Sequence, residues 1–297
     1  MKIYKKIKNS KQFFIIIIVI MLCFSCKTKV SNHANEFKGE NYIPYFLTVE
    51  KAKEFYKVNE HKKSFLLLDS IFTIYKPLNT LTLNEIELYC ELAIKYKKTN
   101  KINNCISILV SDYGFDLANN KDSLWVLIKK ESKFKDHDLK IKYDNFLKGI
   151  NLNVRDSIIA IFKSDIDIRK TKNSTKIDSV DRINELKTVS IIKKYGFPTV
   201  KLIGGHSNDN ELSGVALSVL LKHISYKYVK EIQPILFDEI KKGKCPPFMY
   251  AGMLDVRKVV RKEETDFTYF GTIKNVPPID TAATNLAREN IGLPKFK

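Results

Sequence analysis

Glycine and proline are scarce in this sequence, with 11 and 9 copies among 297 residues. Turn-rich all-β architectures and structureless linkers draw heavily on both, so their scarcity beside abundant Lys, Leu, Ile and Glu points to helices. Acidic side chains are also short, 33 Asp and Glu against 51 Lys and Arg, for a formal charge of +18. There are only 5 cysteines, and no two stand as Cys-x-x-Cys, which removes a thioredoxin-type redox motif and a zinc knuckle. Neither His-x-x-x-His, Gly-x-Ser-x-Gly, a calcium loop, a phosphate loop nor Gly-x-Gly-x-x-Gly occurs, so the expected metals and cofactors are none. The longest early apolar run, Phe13 to Leu22, has ten residues. A spanning helix needs roughly 20.

What is present begins with that short run. Lys2, Lys5, Lys6, Lys8 and Lys11 precede it, and no acid appears before Glu36. Leu22-Cys23-Phe24-Ser25-Cys26 follows it. The arrangement resembles a bacterial lipoprotein leader with its lipobox, which implies cleavage after Ser25 and acylation of Cys26. Residues 1–25 are then the signal peptide, and 26–45 a flexible polar tether. Burial of acyl methylenes, about 0.8 kcal/mol each, anchors such a chain to the membrane. Lys27 in place of an aspartate favours the outer over the inner membrane of the cell envelope.

Removal of the leader takes five lysines with it, so 18 minus 5 leaves +13 on a mature chain of 297 minus 25, or 272, residues. The lysines are scattered and no aromatic-plus-basic motif accompanies them, so no nucleic-acid partner is expected. Apolar content of 44% with 18 Phe and 14 Tyr is ample for a packed core.

The expected fold is mainly α, with helical hairpins followed by a helical domain bearing one β-hairpin. From residue 46 the apolar side chains recur at helical spacing. Thr48 suits a cap before Val49, Ala52, Phe55 and Tyr56, and a second helix carrying Phe65, Leu68, Ile71 and Phe72 ends before Pro77. Residues 83–98 and 101–110 form a second pair across Thr99-Asn100. This pair resembles a tetratricopeptide-type repeat, and the likeness covers residues 46–147. Cys90 and Cys105 occupy the small positions of close approach, where they either simply pack or form a disulfide. Such hairpins imply a binding groove for a protein or peptide partner.

In residues 152–297, Ser179–Lys194 is amphipathic and stops at Gly196 and Pro198. Val200–Ile203 suits a short extended piece. A helix over residues 210–225 puts Val215, Ala216, Val219, Leu220 and His223 on one face. Another covers Tyr228–Lys242. Alternation in 257–260 and 267–273 predicts a β-hairpin near 257–273. Thr281–Asn290 is a last helix, capped by Gly292.

Several short elements in this half are Asp165-x-x-x-Arg169, Asp181-Arg182-Ile183-Asn184, Tyr195-Gly196-Phe197-Pro198, Lys222-His223, Asp255-Val256-Arg257, Phe270-Gly271-Thr272 and Arg288 with Gly292-Leu293. Together they are similar to an uncharacterised bacterial family known only as a domain of unknown function. Val256, Lys222, Thr268 and Ile273 depart from its pattern, so several of its polar positions are missing here.

For chemistry, His223 is the best candidate, either a satisfied core residue or a general base grouped with Asp255 and Arg257. His206, after Gly204-Gly205, is a weak anion-site candidate. Asp165 with Arg169, and Asp181 with Arg288, are expected ion pairs. The expected function is a lipid-anchored envelope protein with a binding or structural role in the periplasm. The alternative is a hydrolase-type enzyme on an envelope polymer using His223, Asp255 and Arg257.

Overall fold

Side-chain caps set many of the helix boundaries. In the computed structural model, Asp122, Asn151, Asn173, Thr199 and Asp280 each accept a backbone N–H from the first turn of the helix they open. The structure describes residues 39–78, 85–205 and 214–296. Cys26, the leader, most of the tether and His206 lie outside them.

The described residues form helices α1 (Ile43–Lys57), α2 (His61–Ile74), α3 (Glu85–Lys95), α4 (Ile102–Tyr113), α5 (Ser123–Lys130), α6 (Asp136–Lys148), α7 (Leu152–Lys170), α8 (Ser174–Tyr195), α9 (Val200–Ile203), α10 (Gly214–His223), α11 (Tyr226–Lys241), α12 (Pro247–Asp255) and α13 (Thr281–Ile291). The protein is thus mainly helical. No described helix is long and apolar enough to cross a membrane.

Helix α1 starts three residues earlier than the sequence suggests. Pro44 sits in its first turn, where a missing N–H costs nothing, and Thr48 is no cap but donates its hydroxyl to Pro44 O. α1 pairs with α2, and α3 with α4, across short connections. Tyr45, Phe46, Phe65, Phe72 and Tyr89 fill the seam, with Phe65 and Tyr89 stacked at 5.6 Å. In the second half α8 packs against α7, α10 and α11, while α12 lies against α10 and α11. The short α9 bridges α4 and α7, and α13 returns to α1. One continuous apolar core therefore runs from Tyr45 to Leu293, through both stretches 46–147 and 152–297.

Two expectations are corrected and one open alternative is decided. Val200–Ile203 is a helical turn, because the Thr199 hydroxyl caps it. Of the two readings of Cys90 and Cys105, packing holds and the disulfide does not: both are free thiols. Both are buried in the α3–α4 seam, and burial pushes the Cys105 thiol up to about 12, which suppresses the thiolate that oxidation needs.

The β-hairpin is also absent, since no strand forms among the described residues. Val256–Val260 prolongs α12 as a π turn. The stretch 267–273 finds no partner strand. Side chains take its backbone groups instead: Asp255 accepts from the N–H groups of Phe270 and Thr272, Lys258 donates to Phe267 O, and Arg288 donates to Phe270 O.

Gly114 closes α4 at φ 61°, in the left-handed region, and a Cβ there would lie 2.0 Å from the Phe146 ring. Gly114→Ala should therefore lose about 3 kcal/mol of stability, from left-handed strain and from overpacking of Phe146. Urea unfolding measures it. A loss under about 1 kcal/mol would show that α6 yields readily at this contact.

Candidate active site

Helix α7 buries Val154, Ile158 and Ile161 along one face, and the next residue in that series is Asp165. A carboxylate on an apolar stripe must be paired to be tolerated. Arg169, one turn on, supplies the first partner. Its Nε donates to Asp165 Oδ2 at 3.2 Å and its Nη2 to Oδ1 at 2.8 Å, a two-pronged grip. The same Nη2 donates to Asp181 Oδ1 on α8 at 2.8 Å. Asn184, also on α8, hands its amide to Ile161 O and fixes α8 against α7.

The third contribution comes from the end of α10. His223 Nδ1 lies 2.8 Å from Asp165 Oδ1 and 2.9 Å from Arg169 Nη2. Both Nη2 hydrogens already point at Asp165 and Asp181. The assignment that satisfies every group has Nδ1–H donating to Asp165, so that in the neutral imidazole Nε2 is the acceptor. No described residue bonds Nε2, and the ring is about a quarter exposed. The end of α10 is steadied on both sides. Glu185 accepts from Ser225 N at 2.8 Å, and Arg257 Nη2 donates to Lys222 O.

Burial works against the Asp165 carboxylate, but hydrogen bonds from His223 and Arg169 outweigh it and hold its pKa below the ordinary value. A depressed folded pKa means that the unfolded chain takes up this proton first as pH falls. The stabilisation is complete above the unfolded value, about 3.9, and disappears as pH drops through the lower folded value. Asp165→Asn should flatten this acid limb of the stability curve, which urea unfolding between about pH 2 and 5 would read. An unchanged limb would show that other carboxylates set it.

Asp165, Asp181 and His223 offer three ligand atoms within 4.8 Å of one another. Metal–ligand bonds of about 2.0–2.2 Å would fit only a centre between them. Arg169 Nη2 already sits there at 2.8, 2.8 and 2.9 Å, so the guanidinium serves as the cation of the cluster.

The predicted residues thus regroup. Asp165 and Arg169 pair as expected. Asp181 pairs with Arg169, not Arg288, which instead donates to Pro294 O and Phe270 O. His223 is not hydrogen-bonded to Asp255 or Arg257. Asp255 is wholly buried at the end of α12, and its oxygens are taken by Phe270 N, Thr272 N and Thr272 Oγ1, each at 2.7 Å. Arg257 is also buried and reaches Glu263 at 3.4 Å besides Lys222 O. Desolvation pushes its pKa down. Arg257 thus holds the backbone of Lys222, next to His223, and Asp255 holds that of Phe270 and Thr272; neither bonds the histidine ring. The Asp165–His223 pair spans 58 residues of sequence; the histidine on an apolar helix face was legible, and an acid at an apolar position of α7 was the signal for its partner.

No protein-family model, no curated protein and no solved structure matches this chain.

Proposed function

We propose that this chain is a lipid-anchored protein of the bacterial cell envelope, held through Cys26, and that it is a hydrolase-type enzyme acting on an envelope polymer. The contact that carries the catalytic reading is Asp165 Oδ1 to His223 Nδ1 at 2.8 Å, beside a Nε2 that no described residue bonds. In such a pair the carboxylate fixes the imidazole tautomer and steadies the imidazolium formed when Nε2 removes a proton from water. Arg169 and Asp181 lock the carboxylate in place, so the base does not rotate away. This reading replaces Asp255 and Arg257, which face other partners, with Asp165 and Arg169.

The test is direct. The chain from residue 27 onward, which contains the whole described core, is incubated with isolated envelope polymers and with simple ester and amide substrates. Release of a new carboxyl or hydroxyl end, lost in His223→Gln, supports the proposal. Equal rates in the two proteins, or no turnover on any substrate, would refute it.

A second reading is a binding role in the periplasm, most simply at the outer membrane, through the first half of the chain. It is favoured by the consecutive packing of α1 with α2 and α3 with α4, the arrangement a tetratricopeptide-like unit uses to present a groove to a peptide. Recovery of one specific protein on the lipidated chain, abolished by surface changes on α1–α4 and untouched by His223→Gln, would favour this reading over catalysis.

A further inference from the structure

A separate cavity of about 330 Å³ opens where α1, the start of α12 and the end of α13 meet. Phe46, Phe248, Leu293 and Pro294 give it apolar walls, and Glu50 and Arg288 are its charged residues. Close approach of the elements is built in: Gly292 turns at φ 88°, and a Cβ there would sit 3.0 Å from Phe46 Cβ. Phe248, 44% exposed, forms part of the apolar rim.

The state of Arg288 identifies the ligand. A guanidinium has five N–H donors. Nε donates to Pro294 O at 2.5 Å and Nη1 to Phe270 O at 2.6 Å, so two backbone carbonyls fix the plane. Three donors are left, two of them on Nη2. Among the described residues no carboxylate is in ion-pair contact with this cation. Burial disfavours its charge, and Asp255 offsets that only from beyond contact distance. Glu50 does not fill the role, because its carboxylate faces Lys53 at 3.6 Å on its own helix. A partly desolvated, rigidly held cation at the edge of an apolar cavity is complementary to one anionic head on an apolar body.

We infer that this cavity binds a small amphipathic carboxylate, with the carboxyl on Arg288 and the hydrocarbon against Phe46, Phe248 and Leu293. At roughly 30 Å³ per non-hydrogen atom the space admits on the order of ten such atoms. This site is distinct from the His223 cluster, and its occupancy does not depend on catalysis there.

Octanoate is the probe, with 1-octanol and octylamine as matched controls, titrated into the chain from residue 27 onward while amide shifts are followed by NMR. Octanoate is expected to bind with a Kd on the order of 1 mM or below and to move the amide of Gly292. The alcohol and the amine should bind at least tenfold more weakly. Phe248→Glu, at a position 44% exposed, should weaken octanoate at least tenfold, by like-charge repulsion and by loss of an apolar wall. Arg288→Lys, which keeps the charge but loses the fork, should weaken it several-fold. Equal binding of all three probes, an unchanged affinity in Phe248→Glu, or no saturable shift at Gly292 would each overturn the assignment.

Discussion

Asp255→Ala is expected to remove about 4 kcal/mol of stability, the largest single loss predicted for this fold. The carboxylate accepts three hydrogen bonds, two from backbone N–H groups and one from the Thr272 hydroxyl, all at 2.7 Å. An abandoned buried donor costs about 1–3 kcal/mol, and alanine abandons all three at once. The damage also spreads. Phe267 and Phe270 are buried against Tyr226 of α11 and Tyr250 of α12, and Phe270 O is the acceptor that orients Arg288. Asp255→Asn should be nearly as harmful, because one side of its amide presents a donor to a donor. Urea unfolding gives the magnitude, and hydrogen exchange at the Phe270 and Thr272 amides gives the location. Burial raises the Asp255 pKa despite these bonds. Its folded state therefore holds the proton more tightly than the unfolded chain does. Its contribution to stability declines as pH rises from about 3.9 toward that raised value, the reverse of Asp165. A loss under about 1 kcal/mol in Asp255→Ala would mean that the segment is held by its aromatic burial alone.

His223→Gln is the second. If Nε2 is the base, turnover should fall about 10²- to 10⁴-fold with little change in KM, since glutamine keeps a polar side chain but accepts no proton near neutrality. Asp165→Asn separates the catalytic reading from a structural one. An asparagine in that place must turn its amide N–H groups toward either Arg169 or His223 Nδ1. The second arrangement invites the wrong imidazole tautomer, so kcat should drop by a comparable factor while the protein stays folded at neutral pH. Were the cluster only a tie between α7, α8 and α10, both substitutions would lower the unfolding free energy and leave turnover of the folded protein unaltered.

Much of the helical architecture was legible because it is local. Periodic apolar residues, with Gly196 and Gly292 at helix ends, give α4 and α13 and the end of α8 within about three residues, but α8 starts earlier than read, at Ser174, where Asn173 caps it. The misreadings came where a residue's partner is remote. Alternation in 267–273 suggested a strand, but the segment forms none, and its backbone groups are taken by Asp255 and Arg288, which lie outside it. The ion pairs divided the same way. Asp165 and Arg169 are one helical turn apart and could be read directly, whereas Asp181 and His223 reach Arg169 only once α8 and α10 pack on α7.

By itself, then, the sequence determined that this chain is helical, where several of its helices stop, and that His223 lies on an apolar face and so requires a partner. Those are consequences of backbone sterics and of side-chain period, which act within a turn or two. Only the tertiary structure decided that His223 meets Asp165, that Asp255 serves the backbone, and that Arg288 faces a cavity. The physical reason is that a buried charge is satisfied by whichever donor or acceptor the packing brings within about 3 Å, and packing is a property of the whole core.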